Sequence, residues 1–257
     1  MTLQQEIGAV MMVGFQGPLT PSVLDDWRQH QFGGLIVAPI DKNAGDATAI
    51  RQLIQSVRGV MQHPLMAASE LATTSSGLKD LGFDINFAPV ADGRDPRLGA
   101  QDVTAAIAGI HAAGMYAAAK NFPGDGGRAL NPFKAAIAAR VEFVVVGHLN
   151  VPSIDASSPT SMSAAALQLL RNELGFQGVI ISDDLQLGAL IPLYPPPSAA
   201  VRFLKNGGDM VIVSHDIAVA DATYAAIHAA VLNGSYPRAQ LDASVQKLLS
   251  LGLRYMP

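Results

Sequence analysis

The residues best placed to do chemistry are two adjacent carboxylates, Asp183 and Asp184, in the stretch Gly175-Phe-Gln-Gly-Val-Ile-Ile-Ser-Asp-Asp-Leu-Gln-Leu-Gly188. The β-branched run Val179 to Ile181 reads as a fully buried strand that delivers Ser182, Asp183 and Asp184 at its C-terminal end. Carboxylates in that position are costly unless they are solvated, hydrogen-bonded or put to use. Used structurally, one would cap the helix that follows. Used chemically, the pair can accept hydrogen bonds from a ligand or act as an anionic catalytic group.

Other polar residues fall at the ends of other apolar runs. These are Glu70, Asp92, Lys120 with Asn121, His148 with Asn150, and Ser214, His215 and Asp216. One cation among several carboxylates and amides suits a neutral, hydroxyl-rich ligand. A phosphorylated ligand fits poorly, because no glycine-rich phosphate turn accompanies the set.

Those residues need elements to hold them. Short apolar runs predict eight strands, over residues 9–15, 33–38, 64–68, 84–90, 116–122, 142–149, 178–182 and 209–214. Helical spacing predicts helices over 21–31, 47–61, 102–113, 164–174 and 217–232. Glycine-bearing helix stops precede several strands, at Gly82, Gly114, Gly175 and Gly207-Gly208. About eight βα units in 257 residues predict an α/β fold, a (β/α)₈ TIM barrel in one domain over residues 1–257. An amphipathic tail over residues 235–251 adds an extra C-terminal helix, and Pro195-Pro196-Pro197 predicts a stiff loop after the seventh strand. A doubly wound sheet would show a G-x-G-x-x-G turn after its first strand, and Gly14-Phe-Gln-Gly17-Pro-Leu-Thr20 lacks that spacing. In a barrel, function sits at the C-terminal strand ends, where the polar set falls.

Composition removes several function classes. A net charge of −4 with 15% charged residues offers no basic face for nucleic acid. There are no cysteines, so disulfides and thiolate-bound zinc are excluded, and His63, His111, His148 and His215 have no metal-ligand spacing among themselves. No apolar run approaches the ~18 residues of a membrane span, and the N-terminus has no basic and apolar leader pattern. The expectation is a cytoplasmic protein without metal or other cofactor.

Four motifs carry a resemblance to a known family. Val13-Gly14-Phe15 with Gly33-Gly34-Leu35-Ile36 opens the chain, followed by Asn86-Phe87-Ala88-Pro89-Val90-Ala91-Asp92 and Ala119-Lys120-Asn121-Phe122-Pro123-Gly124-Asp125-Gly126. The fourth is Glu173-Leu-Gly-Phe-Gln-Gly-Val-Ile-Ile-Ser-Asp-Asp-Leu185. Together they resemble the catalytic barrel of the family 3 glycoside hydrolases, in its β-N-acetylglucosaminidase branch. The resemblance implies a retaining glycosidase acting on β-linked N-acetylglucosamine or a related β-glycoside, with Asp183 as nucleophile against an oxocarbenium-like centre. It implies sugar-binding roles for Asp184, Lys120, Asn121, Asp92 and Glu70. On residue type alone, Lys120 equally fits a salt bridge to Asp92 or Asp183.

The active-site face departs from the family pattern. Gly126 runs into Gly127-Arg-Ala-Leu-Asn-Pro-Phe133 without the His and Asp of the family's acid/base loop, and Asn121 and Asp125 stand where the family has histidines. The loops holding Glu70 and Arg94 to Arg97 are short. Replacement acids would be Asp125, His148 or Glu70. His148 is the best of these by type, and its alternative is a hydrogen-bonded histidine of the barrel rim. These losses also allow a degenerate barrel that binds a sugar or a protein partner without turnover.

Overall fold

The computed structural model of the chain describes residues 1–38, 41–43, 45–71, 73–93, 99–126, 130–188 and 190–252. Eight parallel strands close into a barrel in sequential order. They are β1 (Met11–Val13), β2 (Gly34–Val37), β3 (Met66–Ser69), β4 (Ile85–Asn86), β5 (Tyr116–Phe122), β6 (Phe143–Val146), β7 (Val179–Asp184) and β8 (Met210–Val213), and β8 pairs back onto β1. Each coincides with an apolar run of the sequence, most of them shortened at the ends. The ladder through β4 is interrupted where the Ala88 N–H turns back onto the Asn86 carbonyl, and it resumes toward β5 as the Ala88 and Pro89 carbonyls take the Ala118 and Lys120 N–H groups.

Helices α1 (Leu3–Ala9), α2 (Pro21–His30), α3 (Ala47–Arg58), α4 (Ser75–Leu81), α5 (Ala100–Ala112), α6 (Leu130–Ala138), α7 (Ala164–Gln168), α8 (Pro196–Lys205), α9 (Ile217–Leu232) and α10 (Arg238–Gly252) accompany the strands. The expected helix over 164–174 is present as α7 followed by one π-helical turn, Leu169–Glu173. Sequence spacing does not mark α1, α4, α6 or α8. The proline run is a correction to the expected stiff loop, since Pro196 and Pro197 open α8. The first helical turn has no partner for an N–H, so proline there loses nothing and arrives with its φ already set. The extra C-terminal helix is α10, which packs on α1 and against β7.

Two glycines are fixed by geometry. Gly82 caps α4 at φ +96°, a left-handed conformation that side chains resist. A Cβ at Gly33 would run into the Ala9 carbonyl, where the chain enters β2.

The N-terminal rim of the barrel carries a repeated device. An acidic residue one position before an even-numbered strand reaches sideways to accept an amide of the preceding odd strand, and a basic side chain meets it. Asp84 takes the Ala67 N–H (2.8 Å) and pairs with Arg58 (2.6 Å). Glu142 takes the Ala117 N–H (3.1 Å) and meets His111 (3.1 Å). Asp209 takes the Ile180 N–H (2.9 Å), the Ser244 hydroxyl (3.0 Å), Arg171 (2.6 Å) and Lys247 (2.7 Å). These bonds set the strand register at the rim opposite the polar set, as buried acceptors must be satisfied. Met11, Met12 and Met66 lie buried on β1 and β3 as core residues. Among the described residues, no helix is long and apolar enough to cross a membrane.

Candidate active site

Two strands that carry the polar set are bulged where they carry it. Along β7, Ile181 pairs with Met210 and Asp184 with Ile212, so three steps on β7 match two on β8. The extra residue lies in the segment Ser182-Asp183. Along β5, Ala119 pairs with Val144 and Phe122 with Val146, and the extra residue falls in Lys120-Asn121. A bulge bends the strand and re-aims a side chain, which is how these residues leave the strict inward–outward alternation of a barrel.

Asp183, next to last in β7, is half-buried, with Oδ1 accepting the Asp184 N–H at 2.9 Å. Burial pushes its carboxyl above the usual carboxylate range, the nearby imidazole of His148 and the Asp184 N–H pull it back, and the charges of Glu70 and Lys120 act on it in opposite senses. Asp183, His148, Glu70 and Lys120 thus share one electrostatic neighbourhood drawn from β3, β5, β6 and β7.

Lys120 Nζ pairs with Glu70 Oε1 at 2.9 Å and stands 5.9 Å from the centre of the Phe87 ring. The sequence admitted Asp92 or Asp183 as salt-bridge partners of Lys120; the ion pair is with Glu70. Asp92 is buried and accepts a hydrogen bond from Asn121 Nδ2 at 3.0 Å. Asn121 and Asp92 therefore form a second polar pair, on β5 and the segment after β4.

Asp184 is turned the other way. Its Oδ1 accepts the Gln186 N–H (3.1 Å) and the Ser214 N–H (3.2 Å), and its Oδ2 accepts the Ser214 hydroxyl (2.7 Å) and stands 2.9 Å from His215 Nε2. Both oxygens are committed inside the protein, and the residue is buried. His148 is similarly occupied. Its Nε2 lies 2.8 Å from the Asp184 carbonyl, which can only accept, so Nε2 carries a proton, and Nδ1 pairs with the Ser161 hydroxyl at 2.6 Å. Asp125 is exposed. Arg94 and Arg97 of the short loop lie outside the described residues.

Sequence reasoning missed Asp41, which follows β2 and is buried with Oδ1 2.5 Å from His215 Nδ1. It also missed Ser161, the partner that fixes His148. Among the described residues, no group of three or more acidic or imidazole side chains is arranged to hold a metal ion.

Residues 127–251 match the model of the glycosyl hydrolase family 3 N terminal domain. A β-hexosaminidase of Stenotrophomonas maltophilia (strain R551-3) is 34% identical over 199 residues, covering 64% of this chain and 57% of that protein. A β-N-acetylglucosaminidase of glycoside hydrolase family 3 from Paenibacillus sp. str. FPU-7 superposes with a TM-score of 0.90 at 25% identity, over 99% of this chain and 62% of the other. The chain is similar to glycoside hydrolase family 3 over residues 127–251. The β-hexosaminidase LpqI of Mycobacterium tuberculosis is 27% identical over 266 residues, covering 84% of this chain and 68% of that protein. The β-N-acetylhexosaminidase of Beutenbergia cavernae shares the fold, with a TM-score of 0.84 at 21% identity and 98% coverage of each chain. The chain spans a little under three fifths of the length of the first curated relatives it matches.

Proposed function

We propose that this barrel is a retaining glycoside hydrolase acting on β-linked N-acetylglucosamine or a related β-glycoside, with Asp183 as the nucleophile. The observation that carries the reading is the bulge that turns Asp183 out of β7 into the neighbourhood of Glu70, Lys120 and His148. A carboxylate there stabilises positive charge at an anomeric carbon and then bonds to it, and a second acidic group protonates the leaving oxygen. The relatives named as β-hexosaminidases support the choice of sugar.

The residues divide by what they have to spare. Lys120 and Glu70 form a partly exposed ion pair that suits sugar hydroxyls, and Asn121, next along the chain, pairs with Asp92. His148, with both nitrogens engaged, positions the Asp184 carbonyl. Of the acids considered, Glu70 alone combines an exposed carboxyl with a charge that reaches Asp183, so it takes the role of general acid and base. Asp184 holds the turn and leaves sugar contact to its neighbours.

The test is a panel of 4-nitrophenyl β-glycosides alongside N-acetylglucosamine disaccharides. Wild-type protein should release product, and Asp183→Asn should fall to the enzyme-free background. Glu70→Gln should lose about 10²- to 10⁴-fold on disaccharides and far less on nitrophenyl substrates, which leave without protonation. Equal background rates in wild type and Asp183→Asn, with sugar still bound, would identify a binding barrel without turnover.

A further inference from the structure

The chain holds two Asn-Gly pairs, Asn206-Gly207 and Asn233-Gly234, and each follows directly on a helix, α8 and α9. In such a pair the backbone nitrogen of the second residue can reach the side-chain amide of the first, because glycine has no Cβ to obstruct the approach. The backbones of the two pairs match. Each asparagine is a helix C-cap, and each glycine has a positive φ, +110° at Gly207 and +76° at Gly234. Each glycine N–H returns to a carbonyl of the last turn, Leu204 at 3.0 Å and Val231 at 3.1 Å.

The side chains are held differently. Asn206 is half-buried, and its Nδ2 donates to the Met162 carbonyl at 3.1 Å. The N–H two residues on, at buried Gly208, is taken by the Phe203 carbonyl at 3.1 Å. Asn233 is exposed, as are Gly234 and Ser235, and its Oδ1 accepts the N–H two residues on, that of Ser235, at 2.9 Å. That bond closes a turn that contains the Gly234 nitrogen. We propose that Asn233-Gly234 is a self-modification site, at which Asn233 passes through a succinimide to aspartate or isoaspartate while Asn206 is spared.

In the first step solvent base takes the Gly234 amide proton, the nitrogen bonds to Asn233 Cγ, and the carbonyl electron pair moves onto Oδ1. Collapse of that adduct breaks the Cγ–Nδ2 bond, and with a proton from water the nitrogen leaves as ammonia. A second water opens the ring at either carbonyl and leaves one carboxylate. Water and its base are the only co-reactants. The Ser235 N–H already stands on the oxygen where negative charge develops, which is the arrangement that lowers the barrier to addition at a carbonyl. At Asn206 the corresponding N–H is committed elsewhere, and the leaving nitrogen must first give up the Met162 carbonyl. The product places a negative charge at the end of α9 where the helix dipole is already negative, in the groove between α8 and α9 that Asn233 shares with Lys205.

The test ages the full chain in mildly alkaline buffer, folded and in parallel unfolded in urea, and follows both pairs by mass spectrometry, with peptide fragmentation to place the added mass of about one dalton. In the folded protein Asn233 should gain it at least about tenfold faster than Asn206, with aspartate and isoaspartate forms both present. In urea the two pairs should react within about threefold of each other, because the contacts that distinguish them are gone. Ser235→Pro removes the N–H that Oδ1 accepts and should slow the folded reaction at residue 233 about tenfold. Asn233→Gln, whose longer side chain closes the ring poorly, should abolish it. Equal rates at the two pairs in the folded protein overturn the proposal, as does a folded rate at Asn233 below about a tenth of its rate in urea, which would make the turn a protection. An unchanged rate in Ser235→Pro also overturns it. If that variant does not fold, the comparison of folded with unfolded wild type decides alone.

Discussion

Replacing His148 separates a positioning histidine from a catalytic one. His148→Ala removes the donor to the Asp184 carbonyl and the hydrogen-bond partner of the Ser161 hydroxyl, and Ser161 is fully buried. A buried hydroxyl left without its partner costs about 1–3 kcal/mol. The Asp184 carbonyl keeps the Leu187 N–H at 3.1 Å, so its loss is that of one hydrogen bond, about 0.5–1.5 kcal/mol. The sum is about 2–4 kcal/mol, which in a chain of this size lowers Tm by about 5–15 °C. Circular dichroism melts give the first number and steady-state kinetics at 20 °C the second. The expected pairing is a clear fall in Tm with kcat reduced through looser positioning of Asp183. His148→Gln, which restores one of the two bonds, should recover part of both. An unchanged Tm with a 10²- to 10⁴-fold loss of kcat, as a missing general acid gives, would refute the positioning role.

Three further outcomes follow from the same contacts. Burial raises the Asp183 carboxyl, so the folded state disfavours its ionisation. That cost is absent below about pH 4, where the carboxyl is protonated in both states, and it accumulates as pH rises through the raised value. Asp183→Asn should therefore melt higher than wild type at pH 7 and converge with it near pH 4 in calorimetry. Asp209→Ala strands Arg171, Lys247 and the Ile180 amide, and chemical denaturation should show a loss of about 3–5 kcal/mol. Lys120→Met removes a charged donor to sugar hydroxyls and should weaken substrate or product binding about 10- to 100-fold by titration calorimetry, with little change in Tm because its pair with Glu70 is partly exposed.

The strands are legible in the sequence because a parallel barrel buries both faces of each one, which writes Phe143 to Val146 or Met210 to Val213 as an unbroken apolar run. The left-handed caps are legible because Gly82, Gly114 and Gly175 answer a backbone demand that few other residues meet. Helix α8 is not, since three prolines imitate an extended loop until the first turn is seen to need no N–H donors. Asp183 is legible from its motif. Its aim is not, because a bulge is one extra residue in a ladder and leaves no mark in the composition of Ser182-Asp183-Asp184. The partners of His148 and His215 are invisible for a different reason. Ser161 and Asp41 lie in stretches with no chemical motif, and Asp41 is 174 residues from the imidazole it meets.

The acidic collar at the N-terminal rim has a consequence for how such a chain can change. Because Asp84, Glu142 and Asp209 clasp neighbouring strands from below, register does not depend on the loops above the pocket. Lengthening or trimming a surface loop is then chiefly a matter of closure entropy, about 0.6 kcal/mol for each doubling of length. One end of the barrel works as a fixed hem and the other as a set of exchangeable cassettes. Grafting a longer segment between β5 and α6 or between β3 and α4 should alter which sugars are accepted while the wall that carries Asp183 stays in place.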